Sequence, residues 1–123
     1  MDTLKEEELT YFQNQEAKSS LAEIFGKTAP LQRDTFSLAF TKLEKGGMVV
    51  RHHHHISEED YLFVKGHATM FVDGKRIEVE PGSVVSIHPE ENHEIPKTEE
   101  EVCFYALSIP PYTPEDFITE EKK

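Results

Sequence analysis

From Asp34 onward the chain alternates. Phe36, Leu38 and Phe40 share one parity and Thr35, Ser37 and Thr41 the other, the pattern of a half-buried strand. Gly46-Gly47 interrupts it, and Met48 to His55 is strand-like again. Tyr61 to Val64 and Ala68 to Val72 are β-rich runs separated by Gly66. Asp73-Gly74, with Met70-Phe71-Val72 before it and Ile77 and Val79 after it, predicts a two-residue hairpin. Pro81-Gly82 marks a second turn, Val84 to Ile87 a further strand, and His88 to Asn92 another loop. Val102 to Ile109 reads as the last long strand, ended by Pro110, Pro111 and Pro114. Short strands with turns roughly every 8–12 residues and no long helical period predict an all-β sandwich or barrel.

The ends read differently. Residues 1–20 are polar and acidic and are expected to be a flexible arm, or a strand or helix that docks on a partner subunit. Leu21, Ile24 and Phe25 followed by Pro30 look like a tie-down and a turn, so the barrel domain is placed at 21–112. Residues 113–123 are expected as a C-terminal tail, helical or frayed.

Composition narrows the function classes. The chain has 123 residues, room for one domain, with 37 % hydrophobic and 30 % charged residues. Its 13 Lys and Arg against 24 Asp and Glu give a net charge of −11, which repels phosphate backbones and anionic lipid. Nucleic acid and membrane surfaces are therefore not expected partners. No stretch approaches the ~20 apolar residues that span a bilayer, and MDTLKEEELT is not the start of a secretory signal. The lone Cys103 excludes an internal disulfide and suits a reducing compartment, so a cytoplasmic protein is expected.

The chemistry lies in the histidines, of which there are seven, four of them consecutive. On a strand, alternate residues face the same side about 6.7 Å apart, so a His-x-His pair aims two imidazoles at one cavity. The run offers two pairs, His52/His54 and His53/His55. The second shares its face with Arg51, which favours solvent, so His52 and His54 are the better inner pair. Glu59 falls in register with Tyr61 and Phe63, where a carboxylate would otherwise be stranded on an apolar face, and His93 can approach from a third strand. Three imidazoles and a carboxylate suit one divalent transition metal ion, whether Fe, Mn, Ni, Co, Cu or Zn.

Gly46, His52-x-His54, Glu59 and Gly66 spell G-x5-HxH-x4-E-x6-G, and PGSVVSIHPEENH ends on His93. In both stretches the chain resembles the cupin superfamily, over roughly residues 34–112. The resemblance implies a jelly-roll double-stranded β-helix with short terminal extensions, and His52, His54, Glu59 and His93 as the metal ligands. The looser motif is also met by Gly47 with His53 and His55. Three positions depart from the family pattern: His88-Pro89-Glu90 replaces a usual Pro-x-Gly, Ser83 stands where Asp is commonest, and Lys97 where Asn is frequent.

Cupins include dioxygenases, isomerases, epimerases and decarboxylases, and also sugar-binding and regulatory modules. The leading expectation is a metalloenzyme acting on a small organic molecule, a dioxygenase-like oxidoreductase or an isomerase. A non-catalytic module that binds or senses a sugar or metabolite is the alternative, and a purely structural metal the third reading. Phe40, Tyr61, Phe63 and Phe104 are candidate cavity walls, and Tyr105 and His88 are candidate acid–base groups. The resemblance and the N-terminal arm point to a homodimer.

Overall fold

The computed structural model describes residues 1–119. Among the described residues, eleven strands lie between two short 3-10 turns. The first six are β1 (Phe12–Asn14), β2 (Ser19–Gly26), β3 (Leu31–Gln32), β4 (Ser37–Leu43), β5 (Val49–His52) and β6 (Glu58–Lys65). The others are β7 (Ala68–Val72), β8 (Lys75–Val79), β9 (Val84–Ile87), β10 (His93–Ile95) and β11 (Val102–Ile109). A larger sheet runs β1-β2-β4-β11-β6-β9, with the short β3 beside β2, and faces a smaller sheet ordered β5-β10-β7-β8. Apart from the β2–β3 pair, the pairings are antiparallel. No helix among the described residues is long and apolar enough to cross a membrane.

Local chemistry accounts for the turns. Asp73 and Gly74 both take positive φ (49° and 80°), as a two-residue turn with the twist of its strands requires, and Val72 pairs with Lys75 across it. Odd positions of β6 point inward: Glu59, Tyr61 and Phe63 are buried while Leu62 and Val64 are exposed. Tyr61 and Phe63 join Leu43, Met70, Val79, Ile87, Ile95, Val102 and Phe104 in one core. Tyr61 stacks on Phe104 at 4.5 Å and Phe63 tilts against it at 5.1 Å.

Gly66 sits at φ +82°, where an added Cβ would collide with the carbonyl oxygen of Glu101. Backbone on both sides leaves nowhere to yield, so Gly66→Ala is expected to cost at least ~2 kcal/mol, read as a lower denaturation midpoint at unchanged m-value.

Three sequence expectations need correction. Residues 21–33 are more than a tie-down: β2 lies inside the larger sheet, paired along most of its length with β4. Part of the expected arm is sheet, because β1 pairs Phe12 with Leu21 and Asn14 with Ser19 of the same chain, and the Asn14 side chain accepts the Ala17 N–H. In β4 it is Thr41 and Leu43, not the Leu38/Phe40 parity, that are buried. Phe40 instead packs its ring 4.9 Å from Tyr105. Ser37, Ala39 and Thr41 give the cavity wall small and polar groups, and Leu43 closes it on the same face.

Candidate metal centre

Cross-strand register brings the site together. β5 and β10 pair His52 with His93, and their rings lie 4.1 Å apart. Glu59 comes from the larger sheet, where β6 pairs it with Ser108 on one side and Ile87 on the other. β5 ends at His52, yet the alternation persists for two residues, so His54 is buried with His52 while His55 is exposed. The single bridge from His53 to Ile118, with both N–H···O bonds at 3.0 Å, holds that extension in place.

The three inner imidazoles share one arrangement. Nδ1 of His52 lies 2.8 Å from the Val50 carbonyl, that of His54 2.7 Å from the Asp116 carbonyl, and that of His93 3.1 Å from the Glu91 carbonyl. A carbonyl only accepts, so each Nδ1 carries the proton and, in a neutral ring, each Nε2 offers a lone pair. The Nε2 atoms converge on Glu59 Oε1, at 3.1 Å from His93, 3.2 Å from His54 and 3.9 Å from His52. One donor atom from each of the four residues lies within 4.8 Å of all the others. Four acceptors facing one point in a buried pocket repel unless a cation or extra protons sit between them, and the donor set fits a divalent transition metal.

Electrostatics agree with that reading. Burial, reinforced by the nearby His93, holds the His52 imidazole down at about 4. Burial pushes the Glu59 carboxyl up, but the His54 and His93 rings outweigh it where, with no cation between them, they carry a second proton on Nε2 and donate it to the carboxylate, leaving the group well below the carboxylate range. Burial lowers His54, while Glu59 and the Asp116 carbonyl raise it further, so it takes a proton more readily than an ordinary imidazole. Ser108 Oγ reaches the second Glu59 oxygen at 3.4 Å. The Tyr61 phenol is raised well above its ordinary value by burial, by the Glu59 charge and by a hydrogen bond to it.

These shifts set a pH response. His52 has a folded value below its ordinary 6.5, so metal-free protein loses up to about 3 kcal/mol as pH falls from 6.5 towards 4. Glu59, also depressed, contributes stability above pH 4.5 that is lost at lower pH. His54, raised, has the opposite sign: its contribution is present below pH 6.5 and lost as pH rises through its folded value. Protons and metal compete for the same lone pairs, so the rise in unfolding midpoint on adding metal is expected to shrink between pH 7 and pH 5. A metal increment independent of pH over that range would contradict imidazole ligation.

A cavity of about 540 Å³ opens onto His52, His54 and Glu59. Tyr61 and Phe104 line it, as do Leu21, Phe25, Met48 and Val49. Of the other residues expected there, Phe63 is wholly buried in the core, and Phe40 and Tyr105 pack on each other instead of lining the cavity. His88 is exposed in the loop before β10, its backbone N–H bonded to Glu91, and does not line the cavity.

The site also recruits residues that sequence reasoning missed. Phe117 stacks on His52 at 4.2 Å, and the Asp116 carboxylate accepts backbone N–H groups of His55, Ile56 and Ser57 at 2.8–3.1 Å. Both belong to the expected tail, whose residues 120–123 lie outside the described residues. Glu23 of β2 and Tyr112 also line the cavity. Burial and the charges of Glu59, Glu115 and Glu23 raise the Tyr112 phenol. One signal for the tail was available: Phe117 and Ile118 are large apolar residues flanked by Glu115-Asp116 and Glu120-Glu121.

Comparison with known proteins fixes the family. A family model described as a cupin domain matches residues 39–110, more than half of the chain. The chain is a cupin. Its sequence is 32 % identical over 81 residues to the uncharacterized protein MJ1618 of Methanocaldococcus jannaschii, a stretch covering 65 % of each, so the cupin spans just under two thirds of that relative. Solved structures of the same fold include KdgF from Halomonas sp. (TM-score 0.78, 14 % identity, covering 94 % of this chain and 97 % of that one). A predicted oxalate decarboxylase from Thermotoga maritima superposes with TM-score 0.78 at 22 % identity, covering 89 % and 99 %. The nucleoside dehydratase Pac13 of Streptomyces does so with TM-score 0.73 at 13 % identity, covering 99 % and 97 %. At these identities the likeness is one of fold. The family match ends at Pro110, so Tyr112, Asp116 and Phe117 lie outside the matched region.

Proposed function

We propose that this cupin is a metal-dependent enzyme acting on a small organic molecule, with His52, His54, Glu59 and His93 as ligands and isomerase-type proton transfer as its chemistry. The observation that carries the reading is Glu23: a carboxylate lining the cavity of the metal centre but outside the ligand set. A divalent metal bound by the four ligands would polarise a substrate oxygen and acidify the adjacent carbon. Glu23 would then act as the general base, and Tyr112, its phenol raised by burial and by neighbouring carboxylates, would hold its proton and donate a hydrogen bond to a substrate oxygen. Leu21, Phe25 and Phe117 provide apolar walls that limit water. The cavity volume suits a metabolite-sized ligand. Among solved structures of this fold are the nucleoside dehydratase Pac13 and a DMSP lyase.

The alternative dioxygenase-like reading makes a different demand, since it consumes oxygen. Metal-loaded protein is to be screened against small hydroxy and keto acids and sugars under air and under argon. Turnover unchanged under argon, with Glu23→Gln lowering kcat by at least about 100-fold at intact metal content, supports proton transfer. Turnover that stops under argon, or a fully active Glu23→Gln variant, overturns it. Tight binding without turnover would instead make the protein a sensing module.

The reading extends to a cytoplasmic homodimer. Leu62 and Val64 (each 43 % exposed) and Val84 (65 %) form an apolar stripe beside Tyr105 and Leu107 on the outer face of the larger sheet, and a second copy would cover it. A monomer by sedimentation at micromolar concentration would remove the dimer.

A further inference from the structure

His53 and His55, the outward pair of the run, are not idle. Their rings lie 5.2 Å apart, and both address one carboxylate: His55 Nδ1 is 3.0 Å from each Glu90 oxygen, and His53 Nε2 is 3.8 Å from Glu90 Oε1. His53 Nδ1 is taken by the Asn92 side chain at 3.1 Å, which fixes the ring and leaves Nε2 facing Glu90. One donor atom from each of His53, His55 and Glu90 lies within 4.8 Å of the others.

The loop is built to present that carboxylate. Glu90 stands at φ +74°, a left-handed conformation that favours glycine, and the sequence pattern it resembles has a glycine there. Its own N–H donates to the His54 carbonyl at 2.6 Å, which locks the strained residue against the histidine run. A residue kept in an unfavourable backbone region by surrounding bonds points to a use for its side chain.

We infer that His53, His55 and Glu90 form a second, outer metal site, separate from the inner centre, for a borderline divalent cation such as Zn(II), Cu(II) or Ni(II). Two imidazoles and a carboxylate supply three ligands, and the exposure of His55 and Glu90 leaves the remaining positions to water, so the outer site binds more weakly than the four-ligand one. Occupation ties the loop of residues 88–92 to the histidine run, and that loop leads directly into His93.

The test uses the full chain, prepared without an affinity tag and stripped of metal, titrated with Zn(II) in competition with a chromophoric chelator. Two equivalents are expected, one tight and one weaker. His55→Ala and Glu90→Gln, both at exposed positions, are expected to weaken the second step by at least about tenfold and leave the first unchanged. His52→Ala with His93→Ala should do the reverse, so failure of the inner site and failure of the outer one give different titrations. Glu90→Gly separates folding from binding: relief of the strained backbone keeps the metal-free unfolding midpoint from falling, while the weaker equivalent disappears. A wild-type titration that ends at one equivalent, or a second step that survives both His55→Ala and Glu90→Gln, overturns the outer site.

Discussion

Protein carrying His52→Ala and His93→Ala together is expected to emerge from dialysis against a weak chelator with less than about a tenth of an equivalent of metal, where the unchanged protein keeps close to one. The two rings face each other across β5 and β10, so the double change removes half of the ligand set from one side of the pocket. Glu59 and His54 would remain, but a two-ligand remnant in a buried cavity cannot offset the desolvation of a cation. Metal-free protein of either kind is expected to stay folded, because the core of Leu43, Phe63, Met70, Ile95 and Phe104 does not depend on the imidazoles. In the double variant Glu59 loses the His93 ring that faces it and two buried rings leave space behind, so its metal-free unfolding midpoint should fall below that of the stripped parent while the protein still folds. Emission or plasma mass spectrometry for content, with thermal unfolding alongside, checks both halves. Stoichiometric metal in the double variant would mean that the inner site is misassigned.

The second large effect is expected at Asp116, about sixty residues from its partners. Its carboxylate closes the turn after the histidine run by accepting from His55, Ile56 and Ser57, while its carbonyl orients the His54 ring. Asp116→Ala leaves three backbone donors at the edge of the site without their acceptor, at a cost of ~2–4 kcal/mol. It is also expected to weaken metal binding by roughly 10–100-fold, because the segment that carries His54 loses its anchor. Asp116→Asn keeps one acceptor oxygen and should fall between. Denaturant titration reads the first effect and chelator competition the second. An Asp116→Ala protein of parental stability and affinity would show that the C-terminal segment merely lies against the barrel.

Sequence pattern carried the site further than it carried the cavity. The alternation within the histidine run separates an inner from an outer pair because side chains repeat every two residues in extended backbone, and that parity survives beyond the end of β5. Glu59 was legible for the same reason, as a carboxylate on the buried parity of β6. The Asp73-Gly74 hairpin and the limits of β9 and β11 were set by local turn chemistry and appear where the sequence puts them. The inward face of β4 was not legible. Hydrophobic-inward reasoning assumes a solid core, whereas Ala39 and Thr41 line a cavity and Phe40 finds its partner in Tyr105. Glu23 was hidden in the same way, in a stretch read as a tie-down. Asp116 was invisible for a different reason: its partners are distant in sequence, and a three-residue turn in an acidic tail has no periodicity to betray a buried role.

The central claim is that three Nε2 atoms and one Glu59 oxygen share a single ion. An anomalous difference map from a crystal of metal-loaded protein, recorded at the metal's absorption edge, tests it most directly. The account predicts a strong peak about 2.0–2.2 Å from Nε2 of His52, His54 and His93 and from a Glu59 oxygen, with each Nδ1 still bonded to its carbonyl. A peak bound through Nδ1, or metal found only beside His53 and His55 with the inner pocket empty, would contradict it.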